Sequence, residues 1–147
     1  MSEDIDILIK KLSYDEFAAL WGDLTKELEC LNAADVKNAY NEYLEKNTAI
    51  RFAWEKCFMP NVEIKWIKKD LDWLSLNNKI KVSVNNNVIY ISPIELQIAF
   101  KLYLGSDKDL EDARYIYDLF KGRLNRALLN ELCRKLNIDI EHKRFIR

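Results

Sequence analysis

The stretch Asp4-Ile5-Asp6-Ile7-Leu8-Ile9 decides how the rest of the chain is read. Its strict alternation sets Ile5, Ile7 and Ile9 on one side and Asp4, Asp6 and Leu8 on the other, the two-residue period of a β-strand. Asp4 and Asp6 therefore share a face, with Cα atoms roughly 7 Å apart by the strand rise, within reach of one hard cation cluster. A third carboxylate, Glu63, alternates with Val62 and Ile64 in the same manner. If the two strands are neighbours, three carboxylates converge beside an apolar sheet face, as two-metal phosphoryl chemistry demands. The same aspartates also fit two solvated residues of an ordinary edge strand, and spacing alone leaves both readings open.

Working outward, Ser13-Tyr14-Asp15-Glu16 is a capping-box pattern that opens a helix, and Phe17, Leu20, Trp21, Leu24, Leu28 and Leu31 recur at helical spacing. That stripe is expected to face a sheet. Val36, Ala39, Tyr40, Tyr43 and Leu44 predict a second helix over Asp35 to Lys46. Ala49 to Trp54 and Val62 to Ile67 alternate as strands on either side of a turn around Pro60-Asn61. A short helix near Asp70 to Leu76 precedes a hairpin, Ile80 to Val84 and Val88 to Ile91, joined by asparagines that tolerate left-handed backbone.

From Ser92 the pattern turns helical. Ser92-Pro93-Ile94-Glu95 combines an N-cap, a first-turn proline and a capping glutamate, and Gly105 supplies the stop. Two more helices are expected over Asp107 to Lys121 and Asn125 to Leu136, followed by a basic tail over Glu141 to Arg147. The expected class is α/β (α+β): a mixed sheet flanked by helices over residues 1–91, with a helical carboxyl-terminal extension over 92–147 packed on the same domain.

Composition narrows the functions. With 147 residues, 49% of them hydrophobic, the chain is long enough to bury a core. Charged residues nearly cancel to a net of -1, so no whole-molecule field draws the protein to nucleic acid or an anionic membrane. Cys30, Cys57 and Cys133 are odd in number and widely spaced, which argues against a disulfide framework or a zinc site. The acidic start and the lack of an apolar run near ~20 residues give the expectation of a soluble cytoplasmic protein with no membrane partner.

Three segments in order carry a resemblance. Ser2 to Ile9 resembles the Asp-x-Asp strand of nucleotidyltransferases, and Asn61-Val62-Glu63-Ile64-Lys65 is similar to their third-carboxylate strand. Ile91 to Ala113 resembles the helical signature of AbiEii-like and minimal nucleotidyltransferases, in which a helix lysine precedes a Lys-Asp-x-x-Asp sequence. The resemblance implies transfer of a nucleoside monophosphate from a nucleoside triphosphate to a hydroxyl, with Asp4, Asp6 and Glu63 as metal-binding and catalytic carboxylates. Mg²⁺ is the implied ion, and nucleic acid enters only as an acceptor. Lys101 is the implied phosphate or acceptor contact; a lysine extending from a packed helix fits it equally. Asp109, Asp112 and Arg114 read as helix-start and surface-pairing residues, and His142 as a lone histidine.

One family element is missing. A Gly-Gly or Gly-Ser turn normally precedes the Asp-x-Asp strand and brings backbone N–H groups to the triphosphate, whereas Gly22, Gly105 and Gly122 are placed elsewhere. The expectation is weak nucleoside triphosphate binding, from a sequence that either starts downstream of its natural beginning or has kept the scaffold and lost the nucleotide. The alternative is a non-catalytic binding module, such as a toxin–antitoxin component or a homodimeric scaffold.

Overall fold

The computed structural model describes residues 4–146, apart from the side chains of Ile140, Glu141 and Phe145. The class is the expected mixture of helices and sheet. The chain divides between Trp73 and Leu74 into two compact units, so residues 74–91, read from sequence with the sheet, belong to the second. Among the described residues no helix is long and apolar enough to cross a membrane.

The first unit runs β1 (Asp4–Ile9), α1 (Tyr14–Leu24), β2 (Leu28–Cys30), α2 (Val36–Asn38) with a π-helical continuation (Ala39–Leu44), β3 (Ile50–Trp54) and β4 (Asn61–Trp66). The strands form one sheet in the order β1-β4-β3-β2. β1 lies parallel to β4, and β3 is antiparallel to both β4 and β2. The apolar alternation sorts one face of this sheet: Ile50, Phe52, Ile64 and Trp66 bury against Phe17 of α1 and against Ala39 and Leu44 of the second helix. Phe17 sits in an aromatic knot, its ring edge-on to Trp66 at 6.0 Å and to Trp21 at 6.1 Å. Such edge-to-face pairs add to area burial. β1, at the sheet's edge, leaves Ile5 and Ile7 partly open.

α1 starts as expected. Ser13 caps the Glu16 N–H, and the Glu16 carboxylate accepts from the Ser13 N–H at 2.8 Å. It stops at Leu24, not at Leu31. Thr25 closes it by bonding its hydroxyl to the Trp21 carbonyl at 2.8 Å, and Leu28 and Cys30 then pair with Trp54 and Phe52 as β2. Leucines at positions 24, 28 and 31 satisfy a helical period, yet sheet pairing wins where an unpaired edge of β3 is available. The second helix begins with Asp35 capping Asn38, and its later bonds reach five residues back, as from the Glu45 N–H to the Tyr40 carbonyl.

α3 (Asp70–Asn77) straddles the division, and the second unit continues with β5 (Ile80–Val84), β6 (Asn87–Ile91), α4 (Ile94–Leu104), α5 (Asp107–Phe120), α6 (Arg126–Lys135), α7 (Ile140–Lys143) and a 3₁₀ turn (Arg144–Ile146). β5 and β6 form a hairpin whose turn residues Asn85 and Asn86 both take positive φ, 48° and 66°, as the asparagine run foretold. Pro93, not Ser92, occupies the N-cap of α4. Glu95 is consequently not a capping residue: it is buried and accepts the Asn125 N–H at 2.7 Å, tying the start of α6 to α4. Gly105 ends α4 at φ 70°, and a Cβ there would lie 2.6 Å from the His142 ring, so both backbone and packing require glycine.

Candidate functional site

The parallel register of β1 and β4 pairs Asp4 with Asn61 and Asp6 with Glu63. Paired residues on neighbouring strands point to one side of a sheet, so the three predicted carboxylates share the face opposite the aromatic core. β3 extends the row, since Arg51 pairs with Glu63 on the other side of β4. A band of Asp6, Glu63 and Arg51 thus crosses three strands, with Asp4 and Asn61 one step along it and Lys65 one step the other way.

Each carboxylate has a partner. Arg51 Nη2 lies 2.6 Å from Glu63 Oε1, and Lys65 Nζ donates to Asp6 Oδ1 at 3.1 Å. Asn61 Nδ2 donates to Asp4 Oδ1 at 2.5 Å. The Glu63 side chain is the most enclosed at 17% exposure, whereas that of Asp6 is 62% exposed. The central strand covers Glu63, and the edge strand leaves Asp6 to solvent, where its ion pair is strongly screened. Asn61 is itself buried, and its Oδ1 is enclosed without a hydrogen-bond partner among the described residues.

The donor chemistry suits a hard cation, with carboxylate and amide oxygens along one row. Among the described residues no three His, Cys, Asp or Glu lie close enough together to share an ion. Arg51 and Lys65 would have to swing off Glu63 and Asp6 first. A cavity of about 300 Å³ in this unit opens on the opposite, apolar face, lined by Leu24, Leu28, Phe52, Trp54 and Val62 among others, and so does not serve the carboxylates.

Lys101 belongs to the second unit, where α4 and α5 pack together. Its ammonium lies 2.7 Å from Asp112 Oδ2 and 3.7 Å from Asp109 Oδ1. The hydrogen bond from Lys101 holds the Asp112 carboxyl below its ordinary value, opposed by partial burial. The side chain is thus engaged within its own unit and joins two helices. Asp109 also takes part in the start of α5, its backbone N–H donating to Ser106 Oγ at 3.2 Å, and Arg114 lies 3.8 Å from Asp118 on the surface. His142 Nδ1 is 3.0 Å from the Leu102 carbonyl, a packing contact beside Gly105.

Arg51, Asn61 and Lys65 were missed from the sequence, although a signal was there. Asn61 and Lys65 occupy the polar phase of the alternation that placed Glu63, and Arg51 the polar phase of the neighbouring Ile50–Trp54 strand. Gly22 lies inside α1, Gly105 ends α4 and Gly122 follows α5. No protein-family model matches the sequence, and no curated protein matches it.

Proposed function

We propose that the chain is a nucleotidyltransferase-like protein whose ancestral activity moves a nucleoside monophosphate from a nucleoside triphosphate to a hydroxyl acceptor, working in the cytoplasm. The observation that carries this reading is the register pairing of Asp6 with Glu63 across parallel strands, with Asp4 on the same face. In the transfer, the acceptor oxygen forms a bond to the α-phosphorus, the bond to the bridging oxygen breaks, and pyrophosphate leaves. Glu63 is the residue to position or deprotonate the acceptor, being the most enclosed carboxylate and the one at the centre of the row. Asp4 and Asp6 would hold Mg²⁺, which supplies charge neutralisation when bound. Lys101 stays in the proposal as a phosphate or acceptor contact only in a state where it leaves Asp112.

Incubation with labelled nucleoside triphosphates, Mg²⁺ or Mn²⁺ and hydroxyl acceptors tests this directly. Label transfer that is lost in Asp6→Asn and Glu63→Gln is the expected result; no transfer with any metal or acceptor would leave only the scaffold. A second reading, a non-catalytic binding module or homodimer, is favoured by the ion pairs that already occupy Asp6 and Glu63, and by the exposure of Trp54, Phe58 and Met59. Light scattering separates the two, because a monomer with no partner in its native lysate contradicts the second.

A further inference from the structure

The second unit holds a pocket of about 190 Å³ among α5, α6 and α7. One face of α6 builds most of it: Arg126, Leu129, Asn130 and Cys133 recur at helical spacing. Tyr117 comes from α5 and Lys143 from α7.

Its charges are unbalanced. Among the described residues no Asp or Glu lines the pocket, and neither Arg126 nor Lys143 pairs with a carboxylate. Other cations of the same unit do: Lys101 with Asp112, Arg114 and Lys121 with Asp118, Lys135 with Glu131. Among the described residues two cations share one concave site with no counter-charge, an arrangement that an anion would relieve. The floor adds no negative charge, because Leu129 is apolar and burial pushes the Cys133 thiol up, keeping it neutral. Both floor residues are nearly fully buried, so charge at the mouth is felt across a low-dielectric wall.

The donors select the anion. Arg126 offers a planar fork, Lys143 an ammonium, Asn130 an amide and Tyr117 a hydroxyl. A carboxylate would leave one of the two cations uncompensated, whereas a phosphate monoester brings nearly two negative charges and three terminal oxygens. The volume falls below the ~300–1,000 Å³ that encloses drug-sized ligands. It suits a terminal phosphate group with its carrier projecting into solvent.

We propose that this pocket binds a phosphate monoester, the terminal phosphate of either a small molecule or a nucleic-acid strand. The site uses none of the carboxylate-face residues and stands or falls apart from the nucleotidyltransferase reading.

The test titrates inorganic phosphate into the ¹⁵N-labelled full chain at constant ionic strength, with acetate as the control anion. Saturable shifts confined to the amides of Tyr117, Arg126, Asn130, Cys133 and Lys143 are expected, weakened about tenfold by Arg126→Gln or Lys143→Gln, as loss of one charge-assisted hydrogen bond implies. A sugar phosphate that binds more tightly than inorganic phosphate identifies a small-molecule source. A short oligoribonucleotide that gains affinity from its 5′-phosphate identifies a strand end. Shifts that never saturate or scatter over the basic surface overturn the proposal. So does equal binding by acetate, oligonucleotide binding indifferent to the 5′-phosphate as the only binding seen, or undiminished affinity in folded variants.

Discussion

The two faces of the four-stranded sheet use the same strands for opposite purposes. On one side Ile50, Phe52, Ile64 and Trp66 disappear under two helices; on the other, Arg51, Glu63, Lys65 and Asp6 lie in a charged row. Strand alternation produces both at once, so a single register decides where the core is and where the chemistry can be. The apolar face carries the folding free energy, because burying large side chains is worth far more than exposed ion pairs. The open part of the charged face, around Asp6 and Lys65, is consequently free to be specialised, since altering it endangers the fold little.

That contrast breaks or sharpens under mutation. Phe52→Ala, which empties a fully buried position, is expected to cost about 3–5 kcal/mol in urea unfolding; a cost near that of a surface change would mean that the helices do not seal this face. In the second unit, Lys101→Met strips Asp109 and Asp112 of their shared cation and is expected to cost about 1 kcal/mol, screened because Asp112 is 45% exposed. That contribution depends on pH in a fixed direction. Asp112 has a lowered folded-state pKa, so its stabilisation is complete above the ordinary carboxylate range, near pH ~4, and fades as pH falls through the lowered value. The wild-type advantage over Lys101→Met should vanish in acid, and a constant difference down to pH ~2 would contradict the pairing.

Smaller effects belong to the charged row. A double-mutant cycle with Arg51→Met and Glu63→Gln is expected to give a coupling of about 0.5–1 kcal/mol, since Arg51 remains half exposed. Asp6→Asn should change stability by less than about 0.5 kcal/mol, because its ion pair with Lys65 is open to solvent. A loss of several kcal/mol from Asp6→Asn would show that the face is structural, and the division of labour between the two sides would fail.

Much of this was legible because alternation is a strong local signal. Asp4–Ile9, Ile50–Trp54 and Asn61–Trp66 announce themselves by period, and the asparagine run names its own hairpin. β2 was hidden because three residues are too few to show a period, and its leucines also continue the stripe of α1. The wide bonding after Asn38 was hidden because a π-helical stretch keeps almost the same apolar spacing as an α-helix. The role of Glu95 depends on Asn125, thirty positions away, and no local pattern contains it. At the candidate site the carboxylates could be read and the cations could have been. What no strand pattern states is which strands are neighbours, and only that adjacency turned Arg51 into the partner of Glu63.

The neighbourhood of Asp6 and Glu63 is therefore the point to probe. In a background lacking Cys30, Cys57 and Cys133, Asp6→Cys combined with Glu63→Cys should close a disulfide under mild oxidation, because side chains of paired residues on adjacent strands fall within bridging distance. Asp6→Cys combined with Ile64→Cys should not, as position 64 points into the core. Ready bridging from position 6 to 64 and none to 63 would place the third carboxylate on the wrong side of the sheet.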